Sequence, residues 1–385
     1  MKNNLTNRFI ELFKSEPELY LSCGGRFEVL GNHTDHNHGL CIAATCSLSI
    51  FAAVKKRNDL LVNAYSEGFG GFSIDLSNLD KNKEEIGKSS ALVRGIVSYL
   101  AKNYQYGGFD IYMVSQIPGG AGVSSSAAFE LLVAQTINEA FNNKQIPLMA
   151  LCKAGQYAER EYYGKMCGLL DQIGVAYGGL VYIDFENITN PIVKSLDVEI
   201  NGYSFVIVNS GGSHAGLDHL YKSIPDDMFK VAHYFGKSYL REIDELLIIK
   251  NKQDVIEKCG ESAYQRALHF YNENKRVEKA YDAIRNNELE ALIKLMNESR
   301  ISSTDLLRNM YVKEIEGSPL EACELILKAS HNKAGVKING GGFAGSVIAL
   351  VPNSELDNVI KASKKKYGDN NVHLVGLREG VPAIK

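Results

Sequence analysis

The 385-residue chain has no tryptophan, only eight prolines against thirty-five glycines, no C-x-x-C pair and little excess of either charge. Each absence narrows the function. The seven cysteines (Cys23, Cys41, Cys46, Cys152, Cys167, Cys259 and Cys323) are odd in number and scattered. They indicate neither a disulfide framework nor a cysteine-based zinc site, so a reducing, cytoplasmic setting is expected. A formal charge of -3 provides no basic footprint for nucleic acid and no reason to expect an anionic membrane as partner. Met1 to Lys14 is polar and amphipathic, without the apolar core of a signal peptide. The longest uncharged apolar run, Leu40 to Val54, is broken by Thr45, Ser47 and Ser49 and is too short to span a bilayer; it reads as a buried strand pair. Small-molecule partners, and a monomer or weak oligomer, are the expectation.

What is present is a run of flexible backbone and small hydroxyls, Pro118-Gly119-Gly120-Ala121-Gly122-Val123-Ser124-Ser125-Ser126-Ala127-Ala128. Glycines let backbone N–H groups approach an anion, and a helix opening at the serines adds its unpaired N–H groups and the positive end of its dipole. Phe109 to Ile117 just upstream is rich in β-formers, and Ala127 to Ala140 downstream carries apolar residues at helical spacing. Strand, glycine turn, serines and helix form the architecture of a phosphate loop. It is not a Walker loop, because no lysine follows the glycines; the nearest candidate, Gly87-Lys88-Ser89, has Asn82 where the first glycine belongs. Charge neutralisation must come from backbone, a metal or residues elsewhere.

Three further segments carry chemistry. Arg26 to Gly39 (RFEVLGNHTDHNHG) crowds polar and ionisable groups around Val29-Leu30, which suits a metal, a polar ligand rich in hydroxyls, or a plain loop. Glu159 to Gln172 (EREYYGKMCGLLDQ) offers acids on either side of a glycine turn, one able to hold Mg²⁺ and the other to face an acceptor hydroxyl; as a bland alternative, Asp171 is a helix cap. Asn339 to Gly345 matches G-x-G-x-x-G as a string, but the strand-like Ser346 to Leu350 that follows contradicts a dinucleotide site, so a tight turn between two strands is expected. Past a boundary near residues 195 to 205 the pattern turns helical, with Met228 to Lys250 the first such stretch. Ser318-Pro319-Leu320-Glu321 reads as a capping box opening a helix that runs to Ser330. Strands and helices mix in both halves, which predicts an α+β fold of two lobes, residues 1–200 and 201–385.

Together these motifs resemble the GHMP family of small-molecule kinases and, within it, the galactokinase family. Arg26 to Gly39 is similar to that family's sugar signature G-R-x-N-x-I-G-E-H-x-D-Y-x-x-G, Pro118 to Ala128 to its loop P-x-G-x-G-L-S-S-S-A, and Asn339 to Gly345 to its third glycine motif. Ala158-Glu159 and Cys167 to Gln172 resemble its A-E-H and C-G-x-M-D-Q segments. The resemblance implies a cleft between two lobes, in which ATP donates a phosphoryl group to the anomeric hydroxyl of a hexose. It implies that Asp171 faces that hydroxyl, as base or as positioning group, and that Arg26 stabilises the developing charge. Gly119, Gly120, Ala121, Gly122, Val123, Ser124, Ser125 and Ser126 would bind ATP, with Ser125 or Ser126 and Glu159 holding Mg²⁺. Asn32, His33, Asp35, Gly168 and Tyr221 would hold the sugar. Three departures stand in the signature: Glu28 for Asn, Asn32 for Glu and His36 for Tyr. Ser223-Ile224-Pro225-Asp226 replaces the arginine pair usual after Tyr221, and the missing tryptophan removes an aromatic this family can place near the base. Galacturonate or another hexose as acceptor, and a non-catalytic sugar-sensing paralogue, are the alternatives these departures leave.

Overall fold

The computed structural model describes residues 2–211, 216–312 and 317–382. Its first sheet contains β1 (Leu19–Leu30), β2 (Leu40–Lys56), β3 (Leu61–Ser66), β4 (Gly70–Asp75), β5 (Phe109–Ser115), β6 (Leu180–Asp184) and β7 (Ile192–Leu196), in the order β4-β3-β5-β2-β6-β7 with β1 also paired to β2. One face carries α2 (Ser89–Leu100), α3 (Ser125–Asn142), α4 (Leu148–Tyr157) and α5 (Leu170–Ala176), while α1 (Lys2–Phe13) sets Leu5 and Phe9 against Ala53 and Tyr112 of the strands. The amphipathic start of the chain is thus a packed helix.

The run from Leu40 is one 17-residue strand, not the expected strand pair. The polar residues that suggested a break are satisfied in place, with Thr45 Oγ1 donating to the Gly174 carbonyl at 2.6 Å and Ser47 Oγ accepting from Gly376 N at 3.0 Å. The strand also changes partner along its length, pairing with β6 over Leu40 to Ala44 and with β5 over Ile50 to Lys56.

The second sheet is antiparallel, β11-β8-β10-β9, from β8 (Tyr203–Asn209), β9 (Gly335–Ile338), β10 (Ser346–Pro352) and β11 (Val372–Val375). Its β8 residues alternate between two cores, so the strand is buried on both faces. Val206 and Val208 face α11 (Pro319–Ala329) and α12 (Leu356–Tyr367), while Phe205 and Ile207 join the core of the first sheet, where the Phe27 and Phe205 rings pack tilted at 48° with centroids 4.8 Å apart. Between β8 and β9 the chain is mainly helical: α6 (Asp218–Tyr234), α7 (Glu245–Lys250), α8 (Lys252–Cys259), α9 (Glu261–Arg285) and α10 (Leu289–Ser302), followed by α11. The predicted stretch Met228 to Lys250 is therefore interrupted, because Gly236 at φ +68 follows the end of α6 and a short turn at Leu240–Glu242 precedes α7. Ser318 caps α11 by accepting from Glu321 N at 3.2 Å, but only half of the expected box forms; the Glu321 carboxylate pairs with Lys366 at 2.9 Å. The end of the described chain turns back to the first sheet, where Leu377 bridges Cys46, Glu379 bridges Gly178 and Val381 N donates to the Ala176 carbonyl at 2.8 Å. Among the described residues no helix is long and apolar enough to cross a membrane.

The two sheets are also joined by a buried ion pair, Lys337 Nζ on β9 to Glu28 Oε1 on β1 at 2.8 Å, with Lys337 donating to the Ile338 carbonyl as well. Removing one member of such a pair strands a charge in the interior. Lys337→Met is therefore expected to cost about 3–5 kcal/mol of stability in denaturant unfolding, and Glu28→Gln in the same chain to recover most of it.

Candidate active site

The glycine and serine loop folds as the sequence predicts, from the end of β5 into α3, which opens at Ser125. Gly122 is fixed twice over. Its φ is +68, and a side chain there would lie 2.1 Å from Ser346 Oγ. Its carbonyl accepts from Arg26 Nη1 at 2.8 Å and from Asn339 Nδ2 at 3.0 Å, so all three sequence motifs meet on one oxygen. Arg26 N also donates to the Val123 carbonyl at 2.9 Å. The side chains of Ala121 and Val123 are buried in the core, so these two residues anchor the loop and face a ligand only through backbone.

Arg26 then reaches Asp171, Nε to Oδ1 at 2.8 Å, and Ser124 Oγ donates to Asp171 Oδ2 at 2.6 Å. Ser124 was expected at the nucleotide, yet its hydroxyl serves the acid. It does so from a left-handed backbone (φ +53), a strained conformation for a residue with a side chain. Burial alone would raise the Asp171 carboxyl; the Arg26 charge and the two hydrogen bonds outweigh it and hold the group below the usual carboxylate range. A third of the Asp171 side chain (34%) remains accessible to a ligand.

The sugar-signature residues divide between two walls. Asp35 lies in a short turn, Asp35–Asn37, with Oδ2 2.5 Å from where a Gly168 side chain would sit, so only glycine at 168 leaves that carboxylate room beside Asp171. Burial pushes the Asp35 carboxyl up to about 6, helped by the Glu28 and Asp171 charges. On the other wall His33 Nε2 meets the Gly341 carbonyl at 2.8 Å, and Tyr221 on α6 donates its hydroxyl to the Gly342 carbonyl at 2.7 Å with its ring edge-on to Phe343. Burial lowers the His33 imidazole to about 4, so it is neutral near pH 7, with Nε2–H as donor and Nδ1 as acceptor. His33 and Tyr221 thus grip the Asn339 to Gly345 turn, which joins β9 to β10 as expected.

Asn32 differs from the expectation. It is buried, with Nδ2 donating to Glu28 Oε1 at 3.2 Å and to the Gly340 carbonyl at 2.7 Å, and Oδ1 accepting from Asn309 Nδ2 at 2.9 Å. Both of its N–H groups are committed to protein, so it shapes the wall and offers no hydrogen to a ligand. Relative to the signature, acid and amide have exchanged positions 28 and 32, and Lys337 neutralises the relocated acid.

Beside the loop is a cavity of about 420 Å³ that the sequence did not disclose. Its lining combines Phe72, Met113, Phe129 and Phe69, the last 84% exposed at the tip of the β3-β4 hairpin, with Ser125, Ser126, Glu159 and Lys165. The discoverable signal was a phenylalanine set among Gly68, Gly70 and Gly71. A larger open groove of about 630 Å³, between Tyr177 to Leu180 and Leu377 to Pro382, carries none of the motif residues. Glu159 is buried in a wide helical turn, Ala158–Tyr163, and Gln172 Nε2 bridges it to Glu130 on α3, at 3.3 and 2.9 Å. Burial and the Glu159 charge push the Glu130 carboxyl up. Among the described residues no group of three or more His, Cys, Asp or Glu could hold a metal alone. Of the groups lining the cavity, the Glu159 carboxylate and the Ser125 and Ser126 hydroxyls suit Mg²⁺ when a substrate's phosphates complete its shell.

Comparison with known proteins identifies the family and the fold. The family description "GHMP kinases N terminal domain" matches residues 91–179, and "Galactokinase galactose-binding signature" matches residues 7–56. A galactokinase of Glaesserella parasuis is 31% identical over 92% of this chain and 90% of its own, and one of Clostridium acetobutylicum is 28% identical over 99% of each. The crystal structure of Lactococcus lactis galactokinase complexed with galactose superposes with a TM-score of 0.82 at 25% identity, covering 99% of this chain and 98% of that one. A mevalonate kinase structure shares the fold, with a TM-score of 0.67 at 16% identity over 94% of this chain and all of its own. The α+β fold is that of the GHMP kinases, and the chain belongs to their galactokinase family, a family of sugar kinases.

Proposed function

We propose that the protein transfers the γ-phosphoryl group of ATP to the anomeric hydroxyl of α-D-galactose, forming galactose 1-phosphate and ADP. The observation that carries this reading is the accessible Asp171 carboxylate, held ionised between Arg26 and Ser124 at the junction of the phosphate loop and the sugar-signature segment. An acid kept below the usual range is a weak base for an alcohol. Asp171 therefore acts mainly by accepting the hydroxyl's hydrogen bond and aiming its oxygen along the line of transfer. The Gly119 to Ser126 backbone cradles the phosphates, and the adenine packs against the phenylalanines that line the cavity. Ser125 or Ser126 and Glu159 would hold Mg²⁺, which when bound neutralises phosphate charge that the lysine-free loop leaves. Arg26 stabilises charge between acceptor and loop. On the sugar side Asp35 and His33 Nδ1 accept hydroxyls, and Gly168 leaves them room.

Galacturonate is a second acceptor to test, because the signature's acid at position 32 is here an amide. With Asp35 and Asp171 both anionic at neutral pH, a carboxylate on the sugar is disfavoured. In a coupled ADP assay, kcat/KM for galactose is expected to exceed that for galacturonate by about tenfold or more, the ordinary reach of one charged contact; the reverse order would reassign the substrate. Asp171→Asn is expected to lower kcat about 10²–10⁴-fold with galactose affinity retained, and normal turnover would remove Asp171 from the mechanism.

The raised Asp35 carboxyl sets a pH dependence. Folded Asp35 protonates at about 6, above its unfolded value, so at neutral pH the empty protein holds an ionised carboxylate at a cost to stability that vanishes as the pH falls. Galactose affinity, measured by calorimetry, is expected to weaken as pH drops through about 6. Asp35→Asn is expected to flatten that profile, weaken sugar binding and raise the melting temperature of the empty protein at pH 7.5.

A further inference from the structure

Lys165 is the sole cation among the described residues that line the nucleotide cavity, and neither the loop motif nor the sugar signature includes it. Its backbone is tied down: Gly164, at φ +92, ends the Ala158–Tyr163 turn, and Lys165 N donates to the Glu159 carbonyl at 3.0 Å. Its side chain is 58% exposed, yet Nζ reaches inward to the buried Glu159 carboxylate, Oε1, at 2.8 Å. The ammonium thus rests on the one carboxylate of this cavity suited to a divalent cation. Two cations on the same oxygen repel, so metal and lysine cannot share it at full strength. A lysine displaced from Glu159 remains on a mobile four-carbon stem beside Ser125 and Ser126, where the phosphates must lie. Arg26 Nε and Nη1 are bonded to Asp171 and to the Gly122 carbonyl, which ties that cation to the acceptor side of the loop.

We propose that Lys165 is the phosphate lysine missing from the loop itself: it neutralises Glu159 in the empty site and turns to the nucleotide's phosphates when a divalent cation takes that carboxylate. The inference rests on the kinase reading above. The competing account is an ordinary surface ion pair, for which loss of the lysine would leave nucleotide binding unchanged.

The test uses the full chain without sugar, comparing wild type, Lys165→Met and Lys165→Arg. MgATP affinity by calorimetry is expected to fall about tenfold in Lys165→Met, the worth of one charged hydrogen bond, and to stay within about threefold in Lys165→Arg. Mn²⁺ binding to the nucleotide-free protein, read by electron paramagnetic resonance, is expected to tighten severalfold in Lys165→Met, because Glu159 is released. An MgATP affinity within about twofold of wild type in Lys165→Met, an equal loss in both variants, or an unchanged Mn²⁺ affinity would each overturn the proposal. Failure of the kinase reading would show separately, as wild-type protein that makes no ADP with any hexose.

Discussion

The site is organised by the Arg26 guanidinium, which holds the Asp171 carboxylate with one nitrogen and the Gly122 carbonyl with another. A charge-assisted bond on one side and a backbone bond on the other set the distance between the acid and the phosphate loop. Asn339 completes the knot from the second sheet by donating to the same carbonyl. Strain at Ser124 makes sense in this frame, because a left-handed serine costs about 1–3 kcal/mol and is tolerated where neighbours over-determine it. Here the neighbours are the acid that its hydroxyl holds and the arginine that holds both acid and loop.

Much of this was legible in the residues. The change from β-formers to glycines, serines and then helix formers specified the loop, since few other structures use those types in that order. Asp171 and Glu159 could be singled out as acids bracketing a glycine turn. Local pattern could not show where their side chains go, and tertiary partners decide that. Thr45 and Ser47 looked like interruptions in the run from Leu40, but the Gly174 carbonyl and Gly376 satisfy them and the strand continues. Lys165 was invisible as a site residue because its position depends on a wide turn and a glycine at positive φ, neither of which has hydrophobic periodicity. Ser318 showed the same limit in small: the cap formed, but Lys366, distant in sequence, took the glutamate that should have completed the box.

The exchange of acid and amide between positions 28 and 32 is more than two substitutions. With Glu28 inside, Lys337 becomes obligatory, and Asn32 is drawn into the hydrogen-bond set that ties β1 to the Asn339 to Gly345 turn and Asn309. A feature that reads as altered specificity in sequence is, in the fold, also a change in how the two sheets are fastened. The shape of this wall and the fastening of the sheets are coupled, and changing one position alone disturbs both.

The return of Leu377 to Val381 onto Cys46, Ala176 and Gly178 has a temporal consequence. These contacts join residues far apart in the chain, so loop-closure entropy must be overcome before they form. During synthesis the first sheet can pair its own strands early, but the Gly178 edge stays open until the polypeptide has been made through position 381. Until then the sheet that carries the phosphate loop exposes unpaired backbone, and this is the interval in which a nascent chain is most exposed to edge-to-edge association.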